Sequence, residues 1–327
     1  MRTDISEPEL WEYRSAVKDP DGVDAFWART LAEARAAGGE VAVRPVETPL
    51  RTLEVHDVTF PGFAGEPVRA WLRRPAPALR GGGPLPVLVE YVGYGGGRGA
   101  AEESLLWASA GFAHLQMDTR GQGSGWSRGD TPDTGTNGPQ VPGVMTRGIT
   151  SPETYYYRRL FTDAARAVDA VRRLDGLDPE RVAVAGTSQG GGTAIAAAAL
   201  VPDVAALAVE VPFLCDVPRA LAITDADPFH EVTRYLATHR EQVELVMGVL
   251  GHVDGVVMAR RGRAPARFSA ALMDAVVPPS TVFGAFHAYG GPKEMAVYPF
   301  NGHEGGGTAE DLATLAFLRR HLGAGGA

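Results

Sequence analysis

The stretch that most limits how this chain can fold is Val182-Ala183-Val184-Ala185-Gly186-Thr187-Ser188-Gln189-Gly190, a short apolar run ending in a Gly-x-Ser-x-Gly turn. It is followed at once by Gly191-Gly192-Thr193-Ala194-Ile195-Ala196-Ala197-Ala198-Ala199-Leu200, small residues with strong helix formers. The apolar run reads as a buried strand and the segment after it as a helix. So abrupt a passage forces the serine into strained backbone angles, and flanking glycines keep neighbouring Cβ atoms from clashing. The Ser188 hydroxyl then stands at the end of a sheet, where a substrate carbonyl can reach it.

The bare pattern is a weak signal, because the chain carries 41 glycines and a second match, Gly125-Trp126-Ser127-Arg128-Gly129. That copy follows Gly121-Gln122-Gly123 rather than a strand, and runs into Asp130-Thr131-Pro132-Asp133, which breaks a helix. Context therefore selects Ser188 and leaves Ser127 as a loop residue.

A serine hydroxyl needs a base to take its proton, and the base needs an orienting acceptor. Where a serine sits on such an elbow, the partners follow in the order Ser, Asp or Glu, His, each on a loop after a strand. Asp274 follows the apolar strand ending Leu272-Met273, and His303 lies five residues past the last strand, in Phe300-Asn301-Gly302-His303-Glu304-Gly305. The other seven histidines fall in expected helices or strands, or in or beside a helical stretch. Acyl transfer also needs backbone donors aimed at the developing oxyanion. The Gln189 amide, directly after the nucleophile, is one candidate, and the Tyr94 amide, in the glycine-rich loop after the strand ending at Tyr91, is the other.

The remaining chain supplies a frame for these residues. Residues 1–40 carry two amphipathic helices, and 51–60 and 67–72 alternate as strands. A strand at 85–91, a helix at 101–110, a strand at 112–117 and a helix at 155–174 then lead to the elbow. A strand at 204–211, four helices within about 212–265, a strand at 267–273, a helix after Pro278-Pro279, a strand at 294–298 and a helix at 308–321 complete the order. Alternation of strand and helix predicts the α/β class, here an α/β-hydrolase fold with a mostly parallel sheet flanked by helices. One domain over 1–327 is expected, with 1–40 as a helical extension and 212–265 as a helical insertion. Residues 119–150, rich in Gly, Pro, Asp and Thr, form a long connection of the kind that carries function.

Composition excludes several classes. A net charge of −8 gives no field for nucleic acid or an anionic membrane, and the pairs Arg158-Arg159 and Arg260-Arg261 read as solvated helix faces. A lone Cys215 allows no disulfide within the chain and fits a reducing compartment. The first residues lack the apolar core of a secretory signal, and no uninterrupted apolar stretch approaches ~20 residues, so cytoplasmic residence is the expectation. No metal-binding His pattern occurs and no cofactor is called for. One rival remains: Gly95-Gly96-Gly97-Arg98-Gly99-Ala100 matches a dinucleotide fingerprint, with Asp118 placed for a ribose, so an NAD(P)-dependent dehydrogenase is the alternative from another class. A non-catalytic binding protein on the same scaffold and a broader small-acyl esterase are the others.

Taken together, Gly93-Tyr94-Gly95-Gly96-Gly97-Arg98-Gly99, Arg120-Gly121-Gln122, Gly186-Thr187-Ser188-Gln189-Gly190 and His303-Glu304-Gly305-Gly306-Gly307 resemble carbohydrate esterase family 7, the acetyl xylan esterases and cephalosporin C deacetylases. The likeness runs from about residue 8 to residue 322. It implies a serine esterase removing acetyl groups from acetylated xylo-oligosaccharides and from cephalosporin C, with Ser188, His303 and Asp274 as triad and the Tyr94 and Gln189 amides as oxyanion donors. It also implies a cytoplasmic homohexamer whose sites face an internal chamber, with residues 119–150 shaping the subunit interface, and gives Arg120 and Gln122 a scaffolding role.

Overall fold

A computed structural model describes residues 4–135, 138–139 and 141–323. Nine strands join in one sheet: Ala42–Val46 (β1), Leu53–Pro61 (β2), Pro67–Pro75 (β3), Leu85–Tyr91 (β4), Ala113–Met117 (β5), Leu177–Thr187 (β6), Ala206–Glu210 (β7), Ala266–Ala271 (β8) and Lys293–Tyr298 (β9). Their order is β1-β2-β3-β5-β4-β6-β7-β8-β9. From β5 to β9 every neighbouring pair is parallel, whereas β1, β2 and β3 pair antiparallel and β3 joins β5 in the same sense. This is the α/β-hydrolase architecture.

The apolar runs 87–89 in β4 and 182–185 in β6 follow from burial on both faces. Val87, Val89, Val182 and Val184 point into one core with the helices Tyr156–Val171 (α4) and Gln189–Leu200 (α5). Leu88, Ala183 and Ala185 point into a second with Trp107, Leu315, Phe317 and Leu318, the last three on the C-terminal helix Gly307–Leu322. Small residues on α5 allow close approach to the sheet: a Cβ on Gly190 would lie 2.0 Å from the Tyr91 carbonyl oxygen.

Between β7 and β8 lie four helices, Val217–Ile223, Phe229–Thr238, Val243–Gly251 and Gly255–Ala259. The segment Arg240–Ala259 is apolar enough by length and composition to cross a membrane, with a mean hydropathy of 1.3, but Arg240, Glu241, Glu244 and Asp254 interrupt it, so it is not an uninterrupted apolar stretch. It is broken at 252–254, and 56% of it is buried within the protein.

Three local expectations need correction. Strand β1 escaped notice because it is an exposed edge strand with Pro45 inside it, so no alternation marks it. The helix expected at 101–110 shrinks to Leu106–Ser109, because the carbonyls of Gly99, Ala100 and Ala101 accept hydrogen bonds from Trp71 and Arg73 of β3. Arg158 and Arg159 are buried rather than solvated: α4 is covered on nearly every side, and its arginines pair with Glu33 and Asp133. Arg260 and Arg261 are half-buried and pair with Asp19 and Asp24.

Candidate active site

Ser188 sits between β6 and α5 with φ 55° and ψ −120°, a left-hand backbone conformation that a serine adopts only under constraint. The constraint is visible. The Ser188 amide donates to the Glu210 carbonyl (2.9 Å), and its own carbonyl accepts from the amides of Gly192 (3.0 Å) and Phe213 (2.9 Å). Only glycine fits at 186, where a Cβ would fall 2.4 Å from the Gly190 carbonyl carbon. The Gly-x-Ser-x-Gly spacing is thus a packing requirement.

Asp274 follows β8 and His303 follows β9, so two neighbouring parallel strands deliver both beside the elbow. His303 Nε2 lies 3.0 Å from Ser188 Oγ, and His303 Nδ1 lies 2.8 Å from Asp274 Oδ2. Asp274 is buried, and its Oδ1 accepts from the amides of Val276 (2.8 Å) and Val277 (2.9 Å), which fixes the carboxylate's orientation. The histidine loop is held in turn by Glu210 at the end of β7, whose carboxylate accepts from the Gly306 amide (2.9 Å). Burial raises the Glu210 pKa.

Ser127 is placed differently. Its hydroxyl donates to the Gly97 carbonyl (3.0 Å), and it lies in a loop that lines the same cleft as Ser188.

The Gln189 amide opens α5 and has no intrahelical acceptor. Tyr94 lines the same cleft as Ser188 and His303. Its loop is tied on three sides. The Tyr94 hydroxyl donates to Glu231 Oε1 (2.6 Å) and accepts from the Val144 amide (2.7 Å), while Glu231 Oε2 accepts from the Met145 amide (3.1 Å). The Gly95 amide donates to Gln122 Oε1 (2.7 Å), Gln122 Nε2 donates to Gln189 Oε1 (2.9 Å), and Gln189 Nε2 donates to the Val92 carbonyl (3.3 Å). Two side-chain amides therefore bridge the Tyr94 loop and the start of α5. Glu231 and Glu210 were not singled out from sequence, since each acts on a partner remote in the chain.

Arg120 is buried and pairs with Asp163 (2.5 and 2.8 Å) and Glu66 (2.7 Å). Cys215 is buried, with its thiol pKa pushed up by burial.

The glycine-rich loop does not form a dinucleotide site. No helix opens at its end, and its Gly97 and Gly99 amides donate to the carbonyls of Ser127 and Arg128. Asp118 is fully engaged, accepting from the amides of Arg98, Thr119 and Asp130 and from the Thr131 hydroxyl. The dehydrogenase alternative is therefore unsupported. Among the described residues no cluster of His, Cys, Asp or Glu is arranged to hold a metal ion.

Ser188 and His303 open on a cleft of about 520 Å³, large enough for a small ligand. Pro228 from the helical insertion and Val276 from the Asp274 loop also line it.

The family model described as acetyl xylan esterase (AXE1) matches residues 1–321. The structure of an acetyl xylan esterase from Paenibacillus sp. R4 is 35% identical, with 97% of this chain and 100% of that one covered and a TM-score of 0.92. Acetyl xylan esterase 1 from Thermoanaerobacterium sp. JW/SL YS485 is 32% identical over 97% of this chain and 99% of that one, with a TM-score of 0.87. Acetyl esterase Axe7A of Xylanibacter ruminicola is 26% identical over 303 residues, and the chain spans 66% of that protein's length. A match from residue 1 to residue 321, and superposition on two such structures over nearly their whole length, establish that this chain belongs to the acetyl xylan esterase family, carboxylic ester hydrolases of the α/β-hydrolase fold.

Proposed function

We propose that this protein is a serine esterase that removes acetyl groups from acetylated xylo-oligosaccharides, with Ser188 as nucleophile, His303 as base and Asp274 as its orienting acid. The observation that carries this reading is the His303 ring, whose two nitrogens lie 2.8 Å from Asp274 and 3.0 Å from Ser188. With Asp274 accepting the Nδ1 proton, Nε2 has a lone pair for the serine proton. Ser188 Oγ attacks the acetyl carbonyl as His303 takes its proton, and the amides of Gln189 and Tyr94 hold the oxyanion. His303 then gives that proton to the departing sugar oxygen, leaving an acetyl-enzyme. Water, deprotonated by His303, releases acetate and restores Ser188. Loss of one oxyanion donor typically lowers turnover ~10²–10³-fold.

The acetyl ester of cephalosporin C belongs to the same proposal as a second substrate, on the strength of the family resemblance. A homohexamer and cytoplasmic residence are proposed on the same ground, and sizing at several protein concentrations tests the former. The test of the reaction is a series of p-nitrophenyl esters from acetate to octanoate. The proposal expects kcat/KM to fall steeply with acyl length, and a rise with length would refute it.

A further inference from the structure

We propose that Trp126 is a preformed platform for the sugar ring of the leaving group, an inference that rests on the acetyl-esterase reading above. Trp126 is 67% exposed, the most exposed of the chain's five tryptophans, yet it is held firmly. Its indole N–H donates to the Tyr94 carbonyl (2.8 Å), and its ring lies against the Gly93–Gly96 loop, where a Cβ on Gly96 would fall 2.3 Å from the ring. Residue 96 must therefore lack a side chain for the indole to lie where it does. The one polar atom of the indole is satisfied within the protein, so what it offers a ligand is apolar aromatic surface.

That surface forms part of the same cleft as Ser188 and His303. A rigid aromatic ring in the cleft of a nucleophile is placed to meet the substrate. The surrounding chemistry narrows the ligand. Glu103, Glu90 (which also faces Trp107 and His114) and Asp227 (paired with Arg234) line the cleft, and neither lysine nor arginine does among the described residues. Carboxylates accept hydrogen bonds from hydroxyls. An apolar face in a cleft that also holds hydroxyl acceptors complements a neutral pyranose, which has C–H groups on its face and hydroxyls at its rim. It suits a plain hydrocarbon less well. The Gly-x-Ser-x-Gly match at 125–129, which supplies no nucleophile, thus has a use of its own.

The test compares an acetylated methyl xyloside with ethyl acetate, followed by titration of released acid, in wild type, Trp126→Ala and Trp126→Phe. The selectivity ratio, kcat/KM for the xyloside over that for ethyl acetate, should fall on the order of tenfold in Trp126→Ala, chiefly through KM. Trp126→Phe keeps a ring without the N–H and should retain most of the ratio. A ratio unchanged in Trp126→Ala overturns the proposal, whether both rates fall together, as for a residue that only props the Tyr94 carbonyl, or only the oligomeric size changes. A Phe variant as poor as Ala also overturns it, because the hydrogen bond and not the ring would then carry the effect. Wild-type protein that hydrolyses neither ester refutes the esterase reading itself, which separates the two failures.

Discussion

Replacing Asp274 by asparagine should nearly abolish turnover while leaving the fold in place, for a reason that can be worked from the hydrogen bonds around it. Asp274 Oδ1 accepts from the amides of Val276 and Val277, and Oδ2 faces His303 Nδ1 at 2.8 Å. An asparagine must keep its carbonyl oxygen toward the two amides, because its NH2 group there would set donor against donor. The NH2 group then faces His303 and donates to Nδ1. The imidazole is driven to the other tautomer, with its proton on Nε2 pointing at Ser188, so it cannot accept the serine proton. A wrong tautomer of this kind lowers kcat ~10⁴-fold in the general case. The two accepted bonds persist, so the melting midpoint should move by no more than about 5 °C. The assay is kcat on p-nitrophenyl acetate with a thermal melt of the same preparation. A folded variant within tenfold of wild-type kcat would refute the reasoning.

Other consequences follow from the contacts. Glu231→Ala leaves the Tyr94 hydroxyl and the Met145 amide without their buried acceptor, and should cost about 2–4 kcal/mol in urea unfolding and lower kcat roughly tenfold, with Glu231→Gln milder on both. Asp133 has a side chain only 1% exposed; burial alone would raise its pKa, but Arg159, Arg147 and Arg120 outweigh that and hold it well below the usual carboxylate range. Its contribution is therefore present above about pH 4 and lost as pH falls below that, so Asp133→Asn should destabilise by about 3 kcal/mol at pH 7 and flatten the acid limb, as read from unfolding at pH 7 and pH 3. Equal acid slopes in the two proteins would contradict this. Gly190→Ala drives a Cβ to 2.0 Å from a backbone oxygen and should yield unfolded or inactive protein, whereas Gly248→Ala, exposed on a helix with open space around it, should raise stability by up to ~1 kcal/mol. Thermal melts of both decide.

What could be read from the sequence was what local chemistry dictates. Residues 87–89 of β4 and 182–185 of β6 are continuous apolar runs because both faces are covered, and the elbow announces itself because Gly186 and Gly190 have no room for a side chain. Asp274 and His303 could be chosen because each follows a strand, in the order such a site requires. What could not be read depends on contacts between remote residues. Glu231 and Tyr94 are 137 positions apart, and nothing near Glu231 distinguishes it from a solvated helix carboxylate. Arg158 and Arg159 look like surface charge until the partners Glu33 and Asp133 are placed beside them. The helix expected at 101–110 failed for the same reason, since side chains of β3 capture the carbonyls it needed. Strand β1 carries no burial signal at all.

The central claim is that Ser188 is acetylated during turnover. Its most direct test is acid quenching during steady-state hydrolysis of an acetyl ester, followed by peptide mass spectrometry. The account predicts an acetyl adduct on the peptide containing Ser188, absent in Ser188→Ala together with the activity, and none on the peptide containing Ser127. An adduct on Ser127, or full activity in Ser188→Ala, would contradict it.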